Sequence, residues 1–462
     1  MEELQRQVAS AWTTWVRDRD RAGAGSTIEA GLARWAGRPG EEEFHLLAAV
    51  LAETQKARLE RYDRAIAIRP GSAIVLFLRA WSRHLLGDAT GALVDSDAAI
   101  ELQPGLAIAW CNRSYLRERA RDLAGALSDA EEAIRRDPAL PLAHVNRGVA
   151  LVALGRGDEA AASYDRALQI DPTFALALMN RAAMHAVRGE VEAALADLGA
   201  AVSSDPDSAE IAGRRGAVRA RIGDLAGARS DLDRAIELDP RHVPAILERA
   251  RVRARSGDLV GSTEDFRRAL ELGADPAPTW ADLSLALFQS GDMTEAKAAA
   301  DRAIDLDGSN LRALEARGIV RLATGDPRGA LDDLDRALGL DPASLAIRYQ
   351  RGKARQALGR PKLAEEDYTA VLEEAPGEPH AWLGRASVRL VLRNPEGAAA
   401  DASAAIERGE PVRGRLIRSV AYERLGQTAD AIADLESAIP SMSPGRDRTA
   451  AEAKLEALRG HR

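Results

Sequence analysis

The chain repeats itself. Aligned on the string G-D-x-x-x-A, followed by A-I/L and D-P, units begin at residues 73, 107, 141, 175, 209, 243, 277, 311, 345, 379 and 412. Nine of the ten spacings are 34 residues and the last is 33. A segment of that length cannot bury a core alone, so neighbouring copies must stack on one another. The 462 residues therefore predict a linear array whose core grows by addition, not three ordinary globules.

Each unit reads as a helical hairpin, helix A over about positions 1–14 and helix B over about 17–30. Small residues recur at position 8 (Ala80, Gly148, Ala182, Gly216, Gly318, Gly352), position 20 (Ala92, Ala126, Ala160, Ala194, Ala228) and position 27 (Ala99, Ala133, Ala167, Ala201, Ala235). They let helix axes approach closely. Glycine at position 15 supplies the left-handed residue that ends helix A. Aspartate at position 16 (Asp88, Asp122, Asp224, Asp258, Asp292, Asp326) is placed to cap helix B. Proline at position 32 stops helix B and turns the chain into the next unit.

The pattern resembles the tetratricopeptide repeat family, of bacterial type with eleven to twelve repeats. Trp110, Trp280 and Trp382 stand at the family's tryptophan position, and Tyr164, Phe266 and Tyr368 at its second aromatic position. The resemblance covers residues 73–445. A degenerate repeat precedes it over 39–72, where "RYDRAIAIRP" is a good second half, with an N-terminal helical cap over 1–38 and a C-terminal capping helix over 446–462. The family implies an all-α fold, a right-handed superhelical solenoid of antiparallel helix pairs, with helix A of each unit lining a concave groove. The departures are at position 7, usually Leu in the family and Arg here, and at position 11, often Arg where the family prefers Tyr.

Position 7 is Arg in ten of eleven units, and position 23 is Asp in nine. The sequence pairs them within each hairpin: Arg79 with Asp95, Arg113 with Asp129, Arg181 with Asp197, Arg215 with Asp231, Arg249 with Asp265, Arg317 with Asp333, Arg351 with Asp367, Arg385 with Asp401, and Arg418 with Asp434. One unit carries Leu283 and Ala299 instead, losing both charges together, and only Arg147 with Ser163 breaks the rule. Both positions flank the small packing positions, where a buried charge must be paired. An internal structural ladder accounts for the row; an arginine row that reads a ligand is the alternative.

Catalytic chemistry finds no foothold. The seven His are scattered without paired-ligand spacing, and there is no C-x-x-C. "GRGDEA" (155–160) mimics part of a dinucleotide fingerprint, but no strand precedes it and it falls on a hairpin turn. The expectation is a non-enzyme without cofactor or metal. The lone Cys111 fits a reducing cytoplasm. "MEELQRQVAS" does not read as a secretory signal, and no apolar run is long enough to span a bilayer. A cytoplasmic protein with no membrane partner is expected. With 71 acidic against 63 basic residues and a net charge of -8, nucleic acid is not a favoured partner. In the first segment Trp12, Trp15 and Trp35 suit a cover for the first repeat, with partner contact the other reading; "STIE" (26–29) suits a capping box.

Under the family's geometry two features face the groove. Phe77, Trp81 and Tyr115 offer apolar anchors beside Asn112, Asn146 and Asn180, which fall at position 6 of three successive units. An Asn row can hold a peptide backbone without reading its sequence, as the asparagine ladders of some family members do. Further on, Arg214, Arg221, Arg251 and Arg255 suit carboxylate or phosphate contacts, unless Glu210 and Glu248 compensate them locally. The carboxylate clamp of chaperone-binding members is matched only by Asn180 and Arg214, with Glu210 at a Lys position, so that function does not carry over. The expected role is a non-catalytic scaffold binding a peptide segment of a partner protein in the groove. The alternative is a separately encoded recruitment or regulatory arm of an enzyme such as a Ser/Thr kinase or a glycosyltransferase.

Overall fold

The computed structural model describes residues 41–460, together with 28–30, 32–34 and 36. Trp12, Trp15, Trp35 and the start of the STIE box fall outside the described residues. All regular structure among the described residues is helical, in consecutive antiparallel pairs. The chain divides into two compact units, Met1–Asp224 and Leu225–Arg462.

In the first unit, the pair Glu41–Leu51 and Gln55–Ile68 precedes Ala73–Leu85 with Ala89–Leu102, Ala107–Arg119 with Leu123–Arg136, Pro141–Ala153 with Gly157–Ile170, and Ala175–Arg188 with Val191–Ser204; Ala209–Arg221 ends it. The second unit starts with Leu225–Leu238. Its pairs are Val243–Arg255 with Leu259–Glu271, Pro276–Ser290 with Met293–Leu306, Leu311–Ala323 with Pro327–Leu340, Leu345–Ala357 with Pro361–Glu374, Pro379–Val391 with Pro395–Glu407, and Pro411–Arg424 with Thr428–Ala438. The helix Arg446–Gly460 closes it, burying Leu455 and Leu458 against Ile432 and Leu435.

The hairpin geometry follows from a few residues. A Cβ at Gly148 would lie 2.4 Å from the Tyr164 ring, and one at Gly352 2.8 Å from the Tyr368 ring. Position 8 is therefore small because position 24 of helix B presses on it. Asp88, Asp122, Asp258 and Asp326 each accept the backbone N–H three residues on, at 2.8–3.1 Å. Such a cap contributes about 1 kcal/mol. Position 4 fixes the joint between hairpins: the indole N–H groups of Trp110 and Trp382 donate to the carbonyls of Pro104 and Pro376, each at 2.9 Å.

The turn between the helices needs a left-handed residue. Glycine provides it at Gly87, Gly257 and Gly291, with φ of 86°, 85° and 90°. Arg121 and Arg393 stand at the same place and adopt φ of 66° and 60°. A side chain there costs about 1–2 kcal/mol, offset in part by glycine's greater entropy loss on folding. Arg121→Gly and Arg393→Gly should each stabilise their hairpin by about 0.5–1 kcal/mol. Hydrogen exchange of the adjoining helices checks this, and slower exchange is the expected sign.

The arginines at position 7 lie across the hairpin. In eight hairpins Nε and Nη2 of Arg79, Arg113, Arg181, Arg249, Arg317, Arg351, Arg385 and Arg418 donate to the two carboxylate oxygens of Asp95, Asp129, Asp197, Asp265, Asp333, Asp367, Asp401 and Asp434, at 2.6–3.1 Å. Arg215 and Asp231 belong to different units. Arg147 donates to Ser163 Oγ at 2.7 Å. Two further partners complete most rungs; the exceptions are His185 and Tyr422 at position 11, and Thr369 and Ser403, which take Arg385 and Arg418 in place of a carboxylate. Position 11 adds a second cation to the same Asp: Arg83 to Asp95, Arg117 to Asp129, Arg253 to Asp265 and Arg355 to Asp367, all at 2.9 Å. Position 25 of the preceding hairpin adds a second carboxylate: Arg113 reaches Asp97 at 2.6 Å, Arg181 reaches Asp165 at 2.7 Å and Arg249 reaches Asp233 at 2.8 Å. Where it is present, the ladder thus ties a hairpin to its own second helix and to the hairpin before it.

Candidate functional site

Within each unit the A helices contact one another as well as their own B helices. The face they build carries the sequence-derived candidates. Trp81 leaves helix Ala73–Leu85 and Tyr115 leaves helix Ala107–Arg119, and their ring centroids lie 5.5 Å apart. His84, one turn beyond Trp81, completes a trio at 5.6 Å from Trp81 and 5.2 Å from Tyr115. Trp81 remains 41% exposed. Phe77 is partly buried against Leu76 and Ile100, so it belongs more to the packing than to the surface.

In the asparagine row, Asn112 departs from the expectation. Asn112 is 5% exposed and does not present its amide on the groove surface. Its Nδ2 donates to Ser96 Oγ at 3.0 Å, and its buried Oδ1 has no hydrogen-bond partner. The partner lies in the neighbouring hairpin: Ser96 at position 24 offers a buried hydroxyl, where other hairpins carry Ala, Leu, Phe or Tyr and have none at that depth except the tyrosines. Asn146 Nδ2 donates to the Cys111 carbonyl at 2.8 Å, and Asn180 Nδ2 to the Leu176 carbonyl of its own helix at 2.8 Å. Each amide thus has one N–H engaged inside the chain, and Asn112 is withdrawn from the row by burial while Asn146 and Asn180 stay half-exposed.

The arginines fall in separate units. In the first, Arg214 is paired with Glu210 in its own helix, and Arg221 approaches the Ala186 carbonyl at 3.5 Å. Their stems line a cavity of about 240 Å³ with Met179, Leu198 and Val218. In the second, Arg251 donates from Nε to Asp282 at 3.0 Å and from Nη1 to Glu248. Asp282, only 3% exposed, also takes Arg312 from the following A helix. Arg251 therefore serves a buried carboxylate across three A helices. Arg255 is exposed and has its own partner. Asp282 and Arg312 were not among the sequence candidates. Their signal was a carboxylate at position 6 in the one unit that lacks the ladder.

Cys111 is buried, and burial pushes its thiol up to about 12, so it stays a protonated packing group. Among the described residues no group of His, Cys, Asp and Glu is arranged to hold a metal ion, and no helix is long and apolar enough to cross a membrane.

Repeated helical hairpins, bound through small packing positions and a recurring charge ladder, define a helical-repeat protein. The tetratricopeptide repeat profile matches residues 111–173, 180–243, 214–277, 281–344, 349–411 and 387–451. The chain belongs to the tetratricopeptide repeat family, whose fold is typical of protein–protein interaction scaffolds. Among solved structures, Cut9 with Hcn1 from the APC/C hetero-tetramer shares 14% identity, covers 91% of this chain and 96% of that one, and superposes with a TM-score of 0.53. A tetratricopeptide repeat protein from Parabacteroides merdae shares 23% identity over 54% of this chain and 98% of that one, with a TM-score of 0.45. Yeast Tom70 shares 13% identity over 81% of this chain and 93% of that one, with a TM-score of 0.42. These likenesses concern the fold alone. No curated protein matches the sequence.

Proposed function

We propose that the chain is a non-catalytic scaffold that binds an extended peptide segment of a partner protein on the face built by its A helices. The observation that carries this is the Trp81–His84–Tyr115 cluster. Its rings touch one another at 5.2–5.6 Å, yet Trp81 keeps 41% of its surface in water. Aromatic anchors of this kind supply most of the affinity where peptides are bound, because they offer a large rigid apolar area with little rotamer entropy to lose. The charge ladder supports the same reading from the other side. It takes the arginines at positions 7 and 11 into hairpin packing, and a net charge of -8 does not favour a phosphate backbone as partner.

The test is a pull-down from source-cell lysate with wild type beside a Trp81→Ala, Tyr115→Ala variant, read by mass spectrometry. Both baits must first show equal helical content and melting. The variant is expected to lose a specific partner, with its affinity down by about 30-fold or more, the mark of an interface hot spot. Retention of every partner by both baits overturns the aromatic-site reading. Recovery of a catalytic protein as the lost partner would assign the chain as that enzyme's recruitment arm.

A further inference from the structure

The hairpin Pro276–Ser290 with Met293–Leu306 carries Leu283 and Ala299 where other hairpins carry the ladder. Those others show what the ladder fills. Arg113 lies between two consecutive B helices, bonded to Asp97 of the one before and to Asp129 of its own. Its guanidinium also covers the position-4 indole, 4.8 Å from the centre of the Trp110 ring, and Arg385 covers Trp382 in the same way at 4.9 Å. Trp280 stands at position 4 of the ladderless hairpin. Among the described residues no cation lies over its ring, and its indole N–H makes no hydrogen bond, unlike those of Trp110 and Trp382.

A cavity of about 380 Å³ opens at this place, within the usual span of ligand clefts, about 300–1,000 Å³. Trp280, Leu283 and Leu287 form its floor from the A helix, and exposed Ala298 and buried Ala299 line it from the B helix. A hairpin that only exchanged an ion pair for an apolar core would close that space with larger side chains; two alanines leave it open. Arg267, from the preceding B helix Leu259–Glu271, and Glu295 also line it and bridge the two B helices at 2.6 Å, each about half exposed. They stand on its solvent side, over the buried leucines. Exposed pairs of this kind are weak, so an entering side chain displaces this one at little cost. Arg302 adds a second guanidinium to the rim, exposed and without an ion pair among the described residues.

The lining selects what enters. Both carboxylates that hold arginine elsewhere are replaced, position 23 by Ala299 and position 25 of the preceding hairpin by Arg267. A cation is therefore refused in a slot that, in two other hairpins, holds a flat guanidinium against an indole. The uncharged group of that shape is an aromatic ring, which pairs well with a second aromatic face. Two guanidinium groups to one carboxylate at the rim favour an acidic surrounding.

We propose that this gap in the ladder is a docking site for one aromatic side chain of a partner protein, carried on an acidic segment and inserted between helices Leu259–Glu271 and Met293–Leu306. The site lies between B helices, so it is independent of peptide binding on the A-helix face.

Two variants of the full-length chain fill the gap. Ala298→Phe does so from an exposed position. Arg267→Asp, Leu283→Arg, Leu287→Arg and Ala299→Asp together rebuild the rung that neighbouring hairpins carry. A random dodecapeptide phage library is depleted on a filled variant that keeps wild-type helicity, then selected on wild type, and the enriched sequences are synthesised. They are expected to share one aromatic residue flanked by Asp or Glu. Replacing that residue with alanine, or filling the gap, should each weaken binding by about 30-fold or more, the size of a hot-spot contact. Arg302→Gln should weaken it by no more than about fivefold, an effect that vanishes at high salt. In the chain labelled with fluorotryptophan, the fluorine resonance of Trp280, assigned with Trp280→Phe, should shift on binding. Peptides without an aromatic residue, equal affinity for the filled variants, or a shift confined to Trp81 overturn the assignment. So does a library that yields nothing over a control protein.

Discussion

Replacing Asp265 with alanine will loosen its hairpin by about 3–5 kcal/mol, the size expected when one partner of a buried ion pair is removed. Asp265 is 3% exposed. It accepts from Arg249 Nε at 2.9 Å, from Arg249 Nη2 at 2.7 Å and from Arg253 Nη1 at 2.9 Å. Without it, two guanidinium groups face one another across a desolvated seam. Only the more distant Asp258 and the preceding hairpin's Asp233 remain, at 3.6 Å from Arg253 and 2.8 Å from Arg249. The chain itself contains the control. In the next hairpin the same three positions are Leu283, Leu287 and Ala299, buried together in one apolar cluster with Phe266. The triple variant Arg249→Leu, Arg253→Leu, Asp265→Ala should therefore return to within about 1–2 kcal/mol of wild type, since well-packed apolar groups replace buried ion pairs at little net cost. An array of repeats need not unfold in one step. The measurement is accordingly hydrogen exchange over 243–271, not a global melting midpoint. A loss below about 1 kcal/mol for Asp265→Ala would remove the ladder from the account of stability.

That ladder also shows where sequence reasoning reaches and where it stops. The repeat length, the left-handed glycine and the small packing positions are local or periodic, so they can be read in one dimension. The link between positions 7 and 23 is legible because one unit changes both residues at once. Its other half was visible but not joined to it. Position 11 is Leu151 where position 23 is Ser163, and Leu287 where it is Ala299, so the second arginine occurs only with the aspartate, although His185 and Tyr422 stand there beside Asp197 and Asp434. The contact between hairpins had a trace as well: Arg267 occupies position 25 just before Leu283, a cation where most other hairpins offer a carboxylate. The surface candidates were less legible. Whether Asn112 lies in the groove or beneath it depends on the hydroxyl of Ser96 in another helix, and position 6 alone carries no record of that.

Tyr368→Ala should destabilise its hairpin by about 3–5 kcal/mol, the usual range for deleting a buried aromatic ring. Tyr368 has no exposed surface. Its ring fills the space that glycine leaves on two sides, since a Cβ at Gly352 would lie 2.8 Å from it and one at Gly384 2.7 Å. The hydroxyl donates to Gln356 Oε1 at 3.0 Å, and burial raises its pKa well above the usual tyrosine value. Tyr368→Phe keeps the ring and loses that one bond, so it should cost only about 1 kcal/mol. Gly352→Ala should cost about 1–3 kcal/mol by overpacking, because Gly384 and its helix stop the ring from moving away. The first unit shows how such a clash is accommodated: Ala182 at position 8 faces Leu198 at position 24, and both are buried. Adding Tyr368→Leu to Gly352→Ala should therefore recover part of the loss, which two independent defects would not allow. Hydrogen exchange over 345–374 distinguishes the cases. If the losses of Gly352→Ala and Tyr368→Leu simply add, the glycine is small for a reason other than this ring.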